Sequence, residues 1–124
     1  MNNYILDTQV LLWWLEGDKK LSNPHKEIID DAGKNIYIST ISLLEVYIKT
    51  DIGKLDIPDD LQKVIIKVQF QILPILFPHL DAYLMLPKIH NDPFDRLIIA
   101  QAIAENLQLI TYDKIIYQYP VKVI

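Results

Sequence analysis

A chain of 124 residues, 51% hydrophobic and with a net charge of −4, suits one compact domain and excludes a global basic field; a nucleic-acid partner would need local Lys/Arg or bound cations to offset its phosphates. The absence of cysteine excludes disulfides, thiolate zinc sites and cysteine nucleophiles, and is compatible with a reducing cytoplasm. No apolar run approaches the ~18 residues of a membrane span, and no signal-peptide pattern follows Met1, so residues 1–124 read as a single domain with no membrane partner.

Tyr4-Ile5-Leu6 reads as a short buried strand that stops at Asp7. Thr8 is the expected cap of a helix from Gln9 to Glu16, ended by Gly17. Ser22 and Pro24 start a second helix that runs through Asp31. Ile36-Tyr37-Ile38 reads as a strand, and Ser39, Thr40 or Ser42 can cap a helix from about Ile41 to Asp51. Leu55 to Pro58 is a connector, and Asp59 or Asp60 begins a helix to about Phe70. Ile72 to Leu76 could be a strand whose Pro74 marks an edge. Pro78 to Leu86 is the next helix, and Pro87 to Asn91 is loop.

Asp92-Pro93 then opens a helix to about Asn106, with Asp95 placed to complete a capping box. Leu107 to Thr111 is a strand, Tyr112-Asp113-Lys114 a turn, and Val121-Lys122-Val123 a last short strand. Short apolar strands alternating with helices predict an α/β fold with a parallel sheet flanked by helices.

Four acids stand out against that frame. Asp7 and Asp113 follow strand ends, where open parallel sheets bind ligands, although each alone reads better as a turn or cap residue. Glu45 shares a helical stripe with Ile41, Leu44, Ile48 and Ile52, so it is expected to face the core; pairing with Lys49 one turn on is the plain alternative. Asp95 lies above Ile98, Ile99 and Ala102 on a helix that is apolar almost all round. If Asp7, Glu45, Asp95 and Asp113 converge, their repulsion calls for cations or retained protons. An all-oxygen donor set favours Mg²⁺ or Mn²⁺ over Zn²⁺. The reaction such a site supports is phosphodiester hydrolysis by an activated water.

Around these acids, Thr8 and Thr111 could orient a carboxylate, or merely cap and close backbone turns. Asp92 reads first as a cap and second as an outer contact of the site. Arg96 reads first as a salt-bridge partner and second as a phosphate contact. His90 receives no role, except as the group to consider if activity titrated near neutrality. Of Trp13 and Trp14, one is expected in the core and the other at a partner surface. Lys19, Lys20, Lys26 and Lys34 could flank a substrate groove but read first as solvated surface.

Four blocks carry a wider likeness: Tyr4 to Trp13 with its Leu6-Asp7-Thr8 start, Ile38 to Val46, His90 to Ala102 with its Asp92-Pro93-Phe94-Asp95-Arg96 run, and Glu105 to Asp113. In these the chain resembles PIN-domain ribonucleases, most closely the VapC-like toxins of type II toxin–antitoxin modules. The resemblance implies a twisted parallel sheet flanked by helices. It implies Mg²⁺ or Mn²⁺ held by Asp7, Glu45, Asp95 and Asp113 for RNA cleavage, an antitoxin partner, and homodimerisation. Gln9 stands where relatives often have His, a position outside the four acids. Rival readings are a DNA nuclease or other phosphodiesterase on the same site, a receiver-like signalling domain, and a silent domain that only binds protein. The paired acids and late lysine of a receiver are not evident.

Overall fold

The computed structural model of the chain describes residues 2–56 and 60–124. The expected helix start at Asp59 and the connector residues Ile57 and Pro58 lie outside the described residues. The elements in chain order are β1 (Asn3–Leu6), α1 (Thr8–Glu16), α2 (Asn23–Asp30), β2 (Asn35–Ser39), α3 (Thr40–Asp51), α4 (Leu61–Lys67), β3 (Gln71–Leu73), α5 (Phe77–Met85), α6 (Pro93–Ala104) and β4 (Gln108–Ile110). A 3₁₀ turn at Ile116–Gln118 follows. None of the helices is long and apolar enough to cross a membrane among the described residues.

The strands form one four-stranded sheet in the order β3-β2-β1-β4, with every pairing parallel. Ile5 sits opposite Leu109 and Leu6 opposite Ile110 in the β1–β4 pairing. Successive strand side chains point to opposite faces, and this splits the core into two layers. Tyr4, Leu6, Ile36, Ile38 and Ile110 pack beneath α1, α2 and α4 with Val10, Leu11, Ile29 and Ile65. Ile5, Leu109 and Leu73 pack beneath α6 with Ile98, Ile99 and Ala102. The sheet is therefore covered on both faces, as its nearly continuous apolar strands require.

The order also fixes where a ligand can enter. From β1 the chain moves outward to β2 and β3, then returns to add β4 on the other side of β1. The carboxyl ends of β1 and β4 thus flank the point where connections diverge, the usual ligand crevice of such a sheet.

Several expectations shift on inspection. Asp7, not Thr8, caps α1, accepting from the Gln9 N–H at 2.9 Å. The third strand stops at Leu73 instead of Leu76. It is an edge strand, and Pro74 lacks the N–H needed to continue the ladder. The last segment contributes an isolated bridge between Val123 and Leu109 and no full strand. Trp13 packs edge-on against Tyr112 and Trp14 against Phe70, so both tryptophans pack against the core while each stays partly exposed.

Candidate active site

Asp7, Glu45, Asp95 and Asp113 all line one pocket of about 350 Å³ at the carboxyl edge of the sheet, beside the β1–β4 crevice. They come from the end of β1, the middle of α3, the first turn of α6 and the turn after β4. Thr8, Gln9, Val10, Trp13, Lys49 and Tyr112 complete the rim.

Each acid is held by a specific donor. Thr111, fully buried, donates its hydroxyl to Asp7 Oδ2 at 2.5 Å and accepts the Asp113 N–H at 3.1 Å, so one side chain ties two of the acids together. Asp113 Oδ1 accepts from the Ile115 N–H at 3.0 Å, which fixes the turn. Thr8 Oγ lies 2.7 Å from Glu45 Oε1 and 2.9 Å from Ser42 Oγ. A hydroxyl has one proton, and the carboxylate is the stronger acceptor, so Thr8 donates to Glu45 and accepts from Ser42.

The Glu45–Lys49 pair is not among the ion pairs of the described residues. Nor does Glu45 lie on a buried stripe: Ile41 is buried, but Leu44, Ile48 and Ile52 are exposed. The buried side of α3 is carried by Ser42 and Val46, and Glu45 points along its margin into the pocket.

Asp92 caps α6, its Oδ1 accepting the N–H groups of Phe94 and Asp95 at 2.9 and 3.2 Å. The return bond of a capping box is not among the described hydrogen bonds. Asp95 Oδ2 faces His90 Nε2 at 3.2 Å instead, which frees the carboxylate for the pocket. Asp92 is exposed, and its oxygen is the part that matters to the helix. Asp92→Ala should cost about 1 kcal/mol in urea unfolding, whereas Asp92→Ser should keep the cap and the wild-type midpoint. Equal losses in both variants would refute this account.

Arg96 departs furthest from expectation. It makes no ion pair with an acid among the described residues. Its buried guanidinium donates to the Pro87 carbonyl at 2.9 Å and to Tyr119 Oη at 3.1 Å, and lies 4.9 Å from the centre of the Tyr83 ring. His90, given no role by sequence, is the residue that reaches Asp95. Its link to Tyr119 spans the loop before α6 and the end of the chain, and no local pattern announces it.

The electrostatics of the pocket are those of crowded negative charge that Lys49 offsets only in part. Burial raises the Asp7 carboxyl above its ordinary range, against the lowering effect of the Thr111 and Gln9 bonds. Burial raises Glu45 too, opposed by Thr8 and reinforced by Asp92 and Asp7. Asp95 is pushed up to about 6, first by burial, then by Asp92, Asp7 and Glu45, with the His90 bond acting the other way.

Among the described residues, no three acidic or histidine side chains stand close enough to cage an ion unaided. That spacing and the all-oxygen donors fit a cation that retains waters and is completed by substrate phosphate, as Mg²⁺ characteristically is. They do not fit the compact nitrogen and sulfur cage of structural zinc.

A parallel α/β sheet with an acidic pocket at its topological switch is the architecture of a PIN domain. The PIN domain family model matches residues 4–122, and the chain belongs to that family. Its fold is shared with VapBC2 from Rickettsia felis, solved bound to a DNA fragment from its promoter, at 21% identity and a TM-score of 0.75 over 98% of this chain and 96% of that one. A toxin–antitoxin complex from Klebsiella pneumoniae matches at 18% identity and a TM-score of 0.68, covering 98% and 95%. FitAcB from Neisseria gonorrhoeae matches at 20% identity and 0.65, covering 97% and 95%. No curated protein matches the sequence.

Proposed function

We propose that this PIN domain is a metal-dependent endoribonuclease that acts in the cytoplasm as the toxin of a toxin–antitoxin pair. The observation that carries the proposal is the meeting of four carboxylates, from four distant segments, in one pocket at the sheet's switch point. Asp7, Glu45, Asp95 and Asp113 would hold Mg²⁺ or Mn²⁺. The bound ion supplies positive charge at the phosphate and acidifies the attacking water.

The chain's own side chains do the rest. Thr111 and Thr8 keep carboxylate oxygens turned into the pocket. Lys49, on the pocket wall one turn after Glu45, offers a cation to a phosphate oxygen. Water oxygen bonds to phosphorus as the water gives up a proton to solvent, the ester bond breaks, and the departing oxygen takes a proton from solvent. No protein nucleophile is needed.

Two apolar surfaces support protein partners. One is a groove between α3 and α4, lined by Leu43, Tyr47, Leu61, Ile65, Ile66 and Ile72, with a volume of about 420 Å³. The other is the outer face of α5, where Phe77, Leu84 and Met85 are each more than 80% exposed. Large apolar side chains left this open mark interaction sites. We assign the groove to an antitoxin segment and the α5 face to a second copy of the chain.

The deciding experiment incubates the purified protein with RNA and with DNA of the same sequence, in Mg²⁺, in Mn²⁺ and in EDTA. RNA should be cut with either ion, EDTA should stop the reaction, and the product of a neighbouring antitoxin reading frame should inhibit it. Preferential DNA cleavage would move the substrate to DNA. A folded protein that cuts neither would be a binding domain alone.

A further inference from the structure

Three hydrogen bonds meet at Tyr119 Oη. Arg96 Nη1 approaches at 3.1 Å, the His90 backbone N at 3.2 Å and His90 Nδ1 at 2.6 Å. A phenol oxygen offers two lone pairs and one proton. The guanidinium and the backbone amide can only donate, so they occupy the lone pairs. The phenolic proton is left for His90 Nδ1, which must therefore be bare. A neutral imidazole then carries its hydrogen on Nε2, and Nε2 is the atom 3.2 Å from Asp95 Oδ2.

The direction of this chain is anchored at a group that cannot reverse. Arg96 stays protonated, and it is pinned by the Pro87 carbonyl and by the faces of Tyr83 and Tyr119. Tyr119 is itself buried.

We propose that His90 is a positioning residue for Asp95: Arg96 and Tyr119 fix its tautomer, and its Nε2–H holds one carboxylate oxygen so that the other stays turned to the pocket. The inference rests on the reading of that pocket as a metal site and assigns the otherwise unexplained Arg96 and His90 to a single device. A histidine whose second nitrogen is fixed by a neighbour is the usual way to set which nitrogen donates. Supports of this kind commonly change metal affinity by roughly 10- to 100-fold when removed.

The test needs no RNA. Long-range proton–nitrogen spectra of the metal-free wild type should show His90 with a hydrogen on Nε2 and a bare Nδ1; a hydrogen on Nδ1 overturns the proposal. Mn²⁺ titration should then give a Kd raised roughly 10- to 100-fold in His90→Leu and in Tyr119→Phe. His90→Gln, whose amide N–H can stand near the place of Nε2, should recover most of the loss. A merely structural role would not distinguish Gln from Leu in metal affinity. Wild-type affinity in both His90→Leu and Tyr119→Phe, or no advantage of Gln, overturns the proposal while leaving RNA cleavage intact. Weakened Mn²⁺ binding in a protein that cuts no RNA would uphold the positioning role and remove the substrate reading. A wild type that binds no Mn²⁺ overturns both. Should His90→Leu fail to fold, the wild-type spectrum and Tyr119→Phe decide.

Discussion

Asp95→Asn should abolish RNA cleavage by orders of magnitude and yet make the metal-free protein more stable at neutral pH. The two effects have one cause. Asp95 is half-buried beside Asp92, Asp7 and Glu45, and burial first, then those charges, push its carboxyl from the ordinary 3.8 up to about 6. The folded state therefore holds that proton more tightly than the unfolded chain does. The resulting stability is fully present below about pH 3.8 and is lost as pH rises through about 6. At pH 7 the ionised group works against folding. Asparagine keeps an oxygen for the His90 Nε2–H and carries no charge, so the gap between variant and wild type should open from pH 4 to pH 7, reaching about 1 kcal/mol or more. Urea melts in EDTA at the two pH values measure it. Saturating Mn²⁺ should narrow or reverse the gap, because an ion bound only by the folded wild type stabilises that state. A variant that cuts RNA at the wild-type rate would remove Asp95 from the site.

Thr111→Val should damage both stability and the acidic pocket, although Thr111 is not one of the four acids. The side chain is fully buried, and its hydroxyl serves Asp7 and Asp113 at once. Valine fills nearly the same space but leaves Asp7 Oδ2 without its donor and the Asp113 N–H without its acceptor. Removing one partner of a buried hydrogen bond costs about 1–3 kcal/mol, and the carboxyl of Asp7, already raised by burial, should rise further. Metal affinity and cleavage should fall roughly 10- to 100-fold. Thr111→Ser keeps the hydroxyl and should retain most of both. If serine and valine behave alike, the hydroxyl is not the reason Thr111 matters.

Much of the fold was legible because short apolar strands and capped helices alternate, and that alternation leaves few topologies. The convergence of the acids was legible for the same reason: Asp7 and Asp113 end strands, and Asp95 opens the central helix. Glu45 reached the expected place by a different argument. The apolar residues used to orient it, Leu44, Ile48 and Ile52, are exposed, and they were misleading because apolar side chains also stand on protein surfaces. Arg96 was misread, and the contacts of His90 went unseen, because their partner is Tyr119, distant in sequence. The cap at Asp7 was missed because a threonine follows it, and both residue types favour that position.

The sheet order has a consequence for synthesis. β1 is made well before β4, yet they are neighbours, and Asp7 meets Thr111 only through that pairing. A half-made or prematurely ended chain holds the first acids but not their closure. In a chain made from its N-terminus, the acidic pocket therefore stays open on one side until β4 has been made and paired with β1.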